Sequence, residues 1–429
     1  MKRLLKTTSL LALVVAPFCA HAQQSPTDFA NFSPRLKLQG RYSLWDSYRN
    51  NQMDLITATA RFGVNYRFKN VFGVLEAQAG SPSDTYTQAS ATTASTTNGS
   101  QNLFIVRRAY VGLDLVTMDP ATVSLIAGRY RFVSSIVYAP DAITQNLATN
   151  MDNVSSATNS DGLIVKYAGK LDFGKLGVEA GYVNNIAVAK QSTGSSWFGN
   201  SSIVTGDNSL AAAPKTQSRG VVALASADIN AGDGIVEARV GYASQTNAVT
   251  RVSANTYTGQ DVSNIEASAG YNYMQGQLKG GLWFQSVTLG KSQTGTINGV
   301  NNISNYTAGA TDDSQTITTI GVGVTGNSKL FGMTNLLADG DALTYAFGFQ
   351  NANGQLVSGG GGTTGVTAFA NQTLQTNIVN VGAGYLQGPF SLELNYAMSS
   401  ANYEIYTNND GIAKEKTASI LYLVGTISL

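Results

Sequence analysis

Hydrophobic and polar positions alternate with a period of two along much of this chain. In residues 35–45 (RLKLQGRYSLW), apolar side chains fall on one face of an extended strand, and the basic side chains of Arg35, Lys37 and Arg41 fall on the other. Such a strand lies between two different surroundings. The pattern by itself leaves open whether these are a core and solvent or another pair.

The same alternation recurs from one end of the chain to the other, although it is weak in 218–229 and 315–325. A closed bacterial barrel usually has an even number of strands, so we predict an all-β, antiparallel transmembrane β-barrel of about sixteen strands. The predicted strands cover 35–45, 56–68, 71–80, 102–116, 121–133, 162–172, 175–185, 218–229, 235–246, 263–274, 277–289, 315–325, 342–350, 373–386, 389–399 and 416–429.

The links between these segments alternate between short and long. Long polar links occupy 81–101, 186–217 and 290–314, whereas tight links lie between them at Lys69-Asn70, Thr117–Pro120, Phe173-Gly174, Asn230–Gly234, Gln275-Gly276 and Gln387-Gly388. An up-and-down meander puts alternate links at opposite ends, which predicts short periplasmic turns and long extracellular loops. The link 326–341 breaks this rhythm, and we expect a small periplasmic helix or a misplaced strand there.

The N-terminal residues have the pattern of a secretory signal peptide. A basic start is followed by a short apolar run and by Ala20-His21-Ala22, an A-x-A cleavage site. We therefore predict a signal peptide over 1–22, a short periplasmic segment over 23–33, and the barrel over 34–429. This predicts an outer-membrane location in a Gram-negative bacterium. Cys19 and His21, the single cysteine and histidine, would be removed with the signal.

A mature chain without histidine or cysteine has few routes to catalysis. It lacks a Ser-His-Asp triad, a thiolate nucleophile and a His/Cys zinc site, so we predict no enzyme activity, no metal and no cofactor. Loss of Lys2, Arg3 and Lys6 leaves 24 of the 27 basic residues against 26 acidic ones. This near-neutral balance argues against a nucleic-acid partner.

Charged residues on the polar strand faces are unevenly distributed. Nine of the twelve arginines after the predicted signal lie before residue 132, whereas inward acids come from later strands. Alternation predicts that Arg41, Arg61 and Arg108 point inward near mid-strand, with Arg129 and Arg131 near the top of 121–133. The predicted lumen lining further comprises Arg35, Lys37, Arg67, Glu76, Lys166, Glu179, Glu237, Arg239, Glu266 and Glu393. Among aromatic residues, Trp283 alone clearly points inward.

Arg107 and Arg108 are adjacent, so a regular strand would send them to opposite faces. An arginine that faces lipid at the membrane midplane costs about 2–4 kcal/mol. We therefore predict that Arg107 lies in a β-bulge, at a subunit interface, or near the upper headgroups.

Residues 122–167 resemble the core of the Gram-negative general porins. The matching features are the strand-ending pair Gly128-Arg129, the long loop Val133–Ser160, and Val165-Lys166-Tyr167 at the start of the next strand. The resemblance implies a homotrimer in outer-membrane lipid. It also implies that the loop folds into the barrel, where Asp141 and Asp152 face Arg41, Arg61, Arg108, Arg129 and Arg131 across a constriction. The chain departs from the family at Leu429, where an aromatic residue is usual.

The function that fits these features is a water-filled porin for passive diffusion of small hydrophilic solutes and ions. Two alternatives remain open: a substrate-specific porin for an anion or a sugar, and a closed structural or adhesive barrel. The later acids argue against an anion channel, which needs a basic ladder along the whole lumen. The single inward Trp283 argues against a sugar channel, which needs a line of inner aromatic residues.

Overall fold

The chain forms a closed antiparallel β-barrel of sixteen strands, which confirms the predicted fold class. The computed structural model describes residues 31–47, 54–81, 103–130, 132, 136–140, 160–184, 219–251, 256–296, 306–307, 315–331, 341–355, 373–402, 406–407 and 414–429. The barrel strands are β1 Asn31–Asp46, β2 Asp54–Phe68, β3 Val71–Ser81, β4 Leu103–Met118, β5 Ala121–Tyr130, β6 Ser160–Leu171, β7 Gly174–Asn184, β8 Arg219–Ala231, β9 Gly234–Arg251, β10 Thr256–Tyr273, β11 Leu278–Thr296, β12 Gln315–Asn327, β13 Ala342–Gln355, β14 Thr373–Gln387, β15 Phe390–Ala401 and β16 Thr417–Ser428.

Each strand pairs with its neighbour in the sequence, and β1 pairs with β16 to close the ring. Two backbone hydrogen bonds finish this seam, from Leu36 N to Leu429 O (2.9 Å) and from Leu429 N to Leu36 O (2.8 Å). Closure leaves no sheet edge, so backbone polar groups along the ring are satisfied within the sheet. Short strand segments also occur in two of the long links, at Tyr306–Thr307 and in the pair Tyr406–Thr407 with Lys414–Glu415.

The weakly alternating segments are both strands, β8 and β12. The predicted boundaries differ most for β9, β10 and β11, which continue to Arg251, begin at Thr256 and continue to Thr296, respectively. These extensions are rich in Thr, Ser, Gly and Gln, so hydrophobic alternation does not mark them, whereas the ladder hydrogen bonds continue through them. In the irregular link, Ser328–Phe331 forms a 3₁₀ turn, in agreement with the expected small helix; 332–340 lie outside the described residues.

The short links all lie at one end of the barrel and are tight turns. Gly232 and Gly388 have φ angles of 58° and 53°, the left-handed conformation that two-residue hairpin turns need. At the opposite end lie the long links, most of whose residues fall outside the described ranges. The predicted alternation of tight and long links is confirmed.

A β-bulge lies at Arg107. The ladder between β3 and β4 pairs Glu76 with Arg108 and Ala77 with Val106, which leaves Arg107 as the extra residue. This confirms the bulge, the first of the three ways in which we expected Arg107 to avoid a regular lipid-facing position.

Candidate pore and its inner wall

The outer face of most strands of the barrel is apolar. Val111 on β4 is 62% exposed and Leu75 on β3 is 56% exposed, although both are hydrophobic and lie in regular strands. The same face continues on β4 and on β6 to β15 with Leu113, Leu163, Val165, Val178, Tyr182, Val221, Val240, Tyr242, Ile265, Leu282, Ile320, Val322, Phe347, Val381, Leu392 and Leu394. A belt of this extent is far larger than the apolar patches of water-soluble monomers.

The described residues of the link between β5 and β6 lie against the inner wall of the barrel. Phe132 packs with Ile126 and Ile164 on the inner face of β5 and β6. Residues 136–140, which we call the inner segment, lie against the wall five strands further round. There the backbone N–H of Ile136 donates to Ser268 Oγ on β10 at 2.8 Å.

Glycines on the wall allow the inner segment to approach closely. A Cβ on Gly323 of β12 would lie 2.2 Å from the carbonyl oxygen of Tyr138, and a Cβ on Gly270 of β10 would lie 2.7 Å from the Tyr138 ring. Any other residue at Gly323 would therefore displace the backbone of the segment. The ring of Tyr138 also contacts a cation, because Lys279 Nζ lies 5.8 Å from its centroid.

Two apolar clusters lie on the inner side of the barrel and include residues of this link. The first is formed by Ile126, Tyr130, Phe132, Ile164, Val183, Val222 and Ala243, with Phe72 and Tyr110 packed against it. The second is formed by Trp283, Ile378, Ala397, Ala418, Ile420, Tyr422 and Val424, with Val137, Ala139 and Ala401 packed against it. Burial of apolar surface on both walls therefore holds the described part of the link inside the barrel.

The expectation that Trp283 is the only inner aromatic residue is wrong. Phe72, Tyr110, Tyr130 and Phe132 form a row of edge-to-face contacts with centroid separations of 6.4, 5.1 and 5.1 Å. The hydrophobic alternation did not identify these aromatic residues as inward, because β3 and β4 carry apolar residues on both faces. Tyr130 and Phe132 are buried, so they serve the packing of the link.

Two of the arginines predicted at the constriction lie on the inner face of β1 and β2. Arg41 is 4% exposed, pairs in register with Val424 of the second cluster, and donates from Nη2 to Gln39 Oε1 at 2.9 Å. Arg61 donates from Nε to Gln78 Oε1 at 2.8 Å. Neighbouring amides thus fix the directions of both guanidinium groups.

Arg108 and Arg129 differ in their surroundings. Arg108 lies on the inner face, with Nε 3.8 Å from Glu76 Oε2. Arg129 follows Gly128, whose φ is 119°, and alternates with the buried Tyr130; its Nη1 donates to the carbonyl oxygen of Val106 at 3.0 Å. This arrangement does not match the predicted place of Arg129 among the inward arginines, because strand alternation puts it on the opposite face from Tyr130. Arg131, Asp141 and Asp152 lie outside the described residues.

Ion pairs line much of the inner wall from β2 to β9. Lys166 Nζ lies 2.8 Å from Glu179 Oε1, which also accepts from the hydroxyl of Tyr130 at 3.1 Å. The guanidinium of Arg67 binds Asp114 Oδ2 through both Nη atoms at 3.0 Å.

In two of these ion pairs, the sequence pattern identified the basic residue but not its aspartate partner. Arg239 Nη1 lies 2.7 Å from Asp228 Oδ1, and Asp114 holds Arg67. Neither aspartate was among the predicted lumen residues. Alternation could have found Asp114, since it shares the strand face of Arg108 and Tyr110.

The remaining predicted lumen residues also lie on inward strand faces. Lys37 is directly opposite Arg61 in the ladder, and the Arg35 guanidinium lies against the side-chain amide of Asn65, with Nε and Nη2 at 3.0 and 2.9 Å. Glu237 is opposite Asp228 in the β8–β9 ladder.

Two predicted acids lie further round the wall. Glu266 is 1% exposed and accepts from Asn264 Nδ2 (2.6 Å) and Gln285 Nε2 (3.2 Å). Glu393 lines a cavity beside the inner segment.

Within the described ranges, no three His, Cys, Asp or Glu side chains group as metal ligands. No helix in the described part of the chain is long and apolar enough to cross a membrane.

Comparison with known proteins gives matches among solved structures alone. No protein-family model and no curated protein matches the chain. Similar structures are mostly outer-membrane porins and channels. They include Salmonella typhi OmpF in complex with daunomycin (13% identity, TM-score 0.49, 94% of this chain and 99% of that chain), Pseudomonas putida OprB at high pH (8%, 0.49, 93% and 94%) and the Acinetobacter baumannii channel DcaP (15%, 0.45, 95% and 100%). At these identities and TM-scores, function has to be argued from the chain's own barrel.

Proposed function

We propose that this chain is an outer-membrane porin, a water-filled channel for passive diffusion of small hydrophilic solutes and ions. One observation carries the proposal: a closed ring of sixteen strands has an apolar belt outside and charged residues inside. An apolar outer belt is what a membrane-spanning barrel presents to lipid. Closure of the ring also leaves no backbone group unpaired in hydrocarbon. Charged inner positions fit water, since they are costly in any dry interior.

The inner segment supports a constriction in this channel. Phe132 lies at the β5–β6 wall and the inner segment at the β10–β12 wall, so the described residues of the link narrow the interior at the level of Ser268. We propose that Arg41, Arg61 and Arg108 face the narrowed passage and that Asp141 and Asp152 complete it. The proposal includes a homotrimer, as implied by the resemblance of 122–167 to general porins, and a signal peptide removed on export.

A liposome efflux assay tests the channel. The purified protein, reconstituted into vesicles loaded with neutral sugars of graded size, should release small sugars quickly and large ones slowly. The alternative with structural support is a closed barrel, because two apolar clusters occupy part of the interior. Retention of every sugar would contradict the porin and favour the closed barrel; release of one sugar but not of others of equal size would indicate a substrate-specific pore.

A further inference from the structure

A cavity of about 370 Å³ lies between the inner segment and the inner wall of β11 to β15. Ala139 and Pro140 cover it on one side, and Gly276 and Asn327 place it toward the short-turn end of the barrel. This volume falls within the range of small-molecule sites. The chemistry of the lining residues therefore indicates which solute fits.

Lys279 is a half-buried lysine at the wall of this cavity. Its ammonium lies 5.8 Å from the centroid of the Tyr138 ring, and its Nζ would lie 3.4 Å from a Cβ on Gly276, which also lines the cavity. The two distances place the ammonium between the inner segment and the turn. No described residue forms an ion pair with Lys279, so its charge is open to an anionic solute.

The lining contains one acid, Glu393, and this residue already interacts with another part of the chain. The ammonium of Lys279, in contrast, contacts an aromatic ring only, within the part of the chain that the structure describes. An anion therefore gains more from this cavity than a cation does, because a cation would have to share Glu393 with its present partner.

Polarity decreases along the wall away from the lysine. Lys279 on β11 is directly opposite Thr325 on β12, and Thr325 is opposite Ala346 on β13. Ala346 in turn is opposite Gly382 on β14, and all four residues line the cavity. Neighbouring strands are about 4.8 Å apart, so the floor changes from an ammonium through a hydroxyl to a methyl group over about 10 Å.

From this arrangement we infer a binding site for small carboxylates that carry an apolar body. The carboxylate lies beside the Lys279 ammonium, and the apolar body lies between Ala346 and the inner segment, where Ala139 and Pro140 supply further apolar surface. The inference rests on the proposed porin function for its biological role, since the solute would be held on its way through the channel. The binding itself does not need conduction.

Calorimetric titration of the protein in lipid nanodiscs tests the site, and titration of empty nanodiscs corrects for partitioning into lipid. The probes are hexanoate, hexanamide and hexylammonium, which have similar apolar bodies and differ in charge. Hexanoate should bind about tenfold more tightly than hexanamide, because charge-assisted hydrogen bonds are the stronger ones, and hexylammonium should bind no more tightly than hexanamide. Equal affinity for all three probes, tightest binding of hexylammonium, or no binding of hexanoate would overturn the inference.

The length of the apolar body tests the other half of the site. From acetate through butyrate to hexanoate, affinity should rise about two- to fourfold for each methylene group, because each one is moved from water onto the apolar part of the floor. Ala346→Asn should reduce this rise and leave the affinity for acetate unchanged. Affinity that does not depend on chain length would contradict an apolar subsite.

Variants of Lys279 assign the charge. Lys279→Met should lower the affinity for hexanoate to that for hexanamide, whereas Lys279→Arg should keep the preference. Lys69→Met is the matched control, because Lys69 also contacts an aromatic ring (Phe68, 5.3 Å) but lies in a turn outside the cavity. If Lys279→Met keeps the preference for hexanoate, the assignment is wrong. Sugar efflux, measured separately, reports on the porin itself, so failure of one proposal is distinguishable from failure of the other.

Discussion

Two like charges face each other on the inner wall of β1 and β2. Lys37 and Arg61 are directly opposite in the ladder, a position at which like charges destabilise a sheet. Neighbouring amides hold basic side chains here, as Gln78 does for Arg61. Two basic residues, Lys37 and Arg61, face each other although their repulsion lowers the stability of the sheet. Their presence is consistent with a pore whose electric field acts on solutes.

Neutralising Arg61 should shift ion preference toward cations. A unit charge about 6 Å from an ion in water contributes about 0.7 kcal/mol, with opposite sign for cations and anions, so Arg61→Gln should change the cation-to-anion permeability ratio about tenfold. The reversal potential across a salt gradient measures this ratio.

The matched control removes a charge pair instead of a charge. Arg108→Gln combined with Glu76→Gln leaves the net charge of the wall unchanged, so the reversal potential should stay near that of the parent. If Arg61→Gln matches the parent as well, Arg61 does not face the ion path.

Among the elements, the inner segment depends most on a single wall position. Gly323→Val should push the segment away from β12, because the space of a Cβ is already taken by the backbone of Tyr138. We expect Ala139→Cys to react several times faster with a water-soluble maleimide when combined with Gly323→Val.

The control for this prediction is Gly280→Val on β11. A Cβ there would meet Val324 at 3.5 Å, an ordinary contact, so labelling of Ala139→Cys should not change. Equal labelling rates in the Gly323 and Gly280 variants would show that the inner segment does not depend on glycine at position 323 for its place against the wall.

Most of the elements could be predicted from the sequence because strand alternation and turn residues are local signals. Gly388 marks its turn, and the alternation of β15 is evident from the sequence alone. The polar extension of β10 to Thr256 was not predictable, since ladder hydrogen bonds do not need an apolar face. The turn at Ser328–Phe331 was recognisable only as a break in the rhythm of the links.

For the molecule as a whole, the belt of apolar residues should behave as a membrane-facing surface. Val165 lies in the middle of β6 and Leu171 at its short-turn end, and both are exposed on the outer face. Arginine at the bilayer midplane costs about 2–4 kcal/mol, and near an interface about 0–1 kcal/mol.

Val165→Arg should therefore lower the free energy of unfolding in lipid vesicles by about 2–4 kcal/mol, and Leu171→Arg by at most about 1 kcal/mol. Urea titration followed by tryptophan fluorescence measures both. Equal losses in the two variants would contradict a membrane-spanning position of β6.

The inner wall was predictable only in part, because alternation separates two faces without telling what covers each one. It marked Lys166 and Glu179 as inward, and the structure joins them in an ion pair. It did not predict that Tyr422 and Ile420 would be buried inside the barrel, because the residues that pack against their cluster, Val137 and Ala139, belong to a link distant in sequence. The partnership of Arg67 with Asp114, 47 residues apart, depends on three-dimensional pairing in the same way.

Single-channel recording in a planar lipid bilayer tests the central claim, that this barrel is an open channel, most directly. In potassium chloride, purified protein should insert in discrete steps of conductance, and a homotrimer should show closures grouped in threes. A protein that inserts, as shown by its protection from protease in the same lipid, but gives no conductance steps would contradict the account.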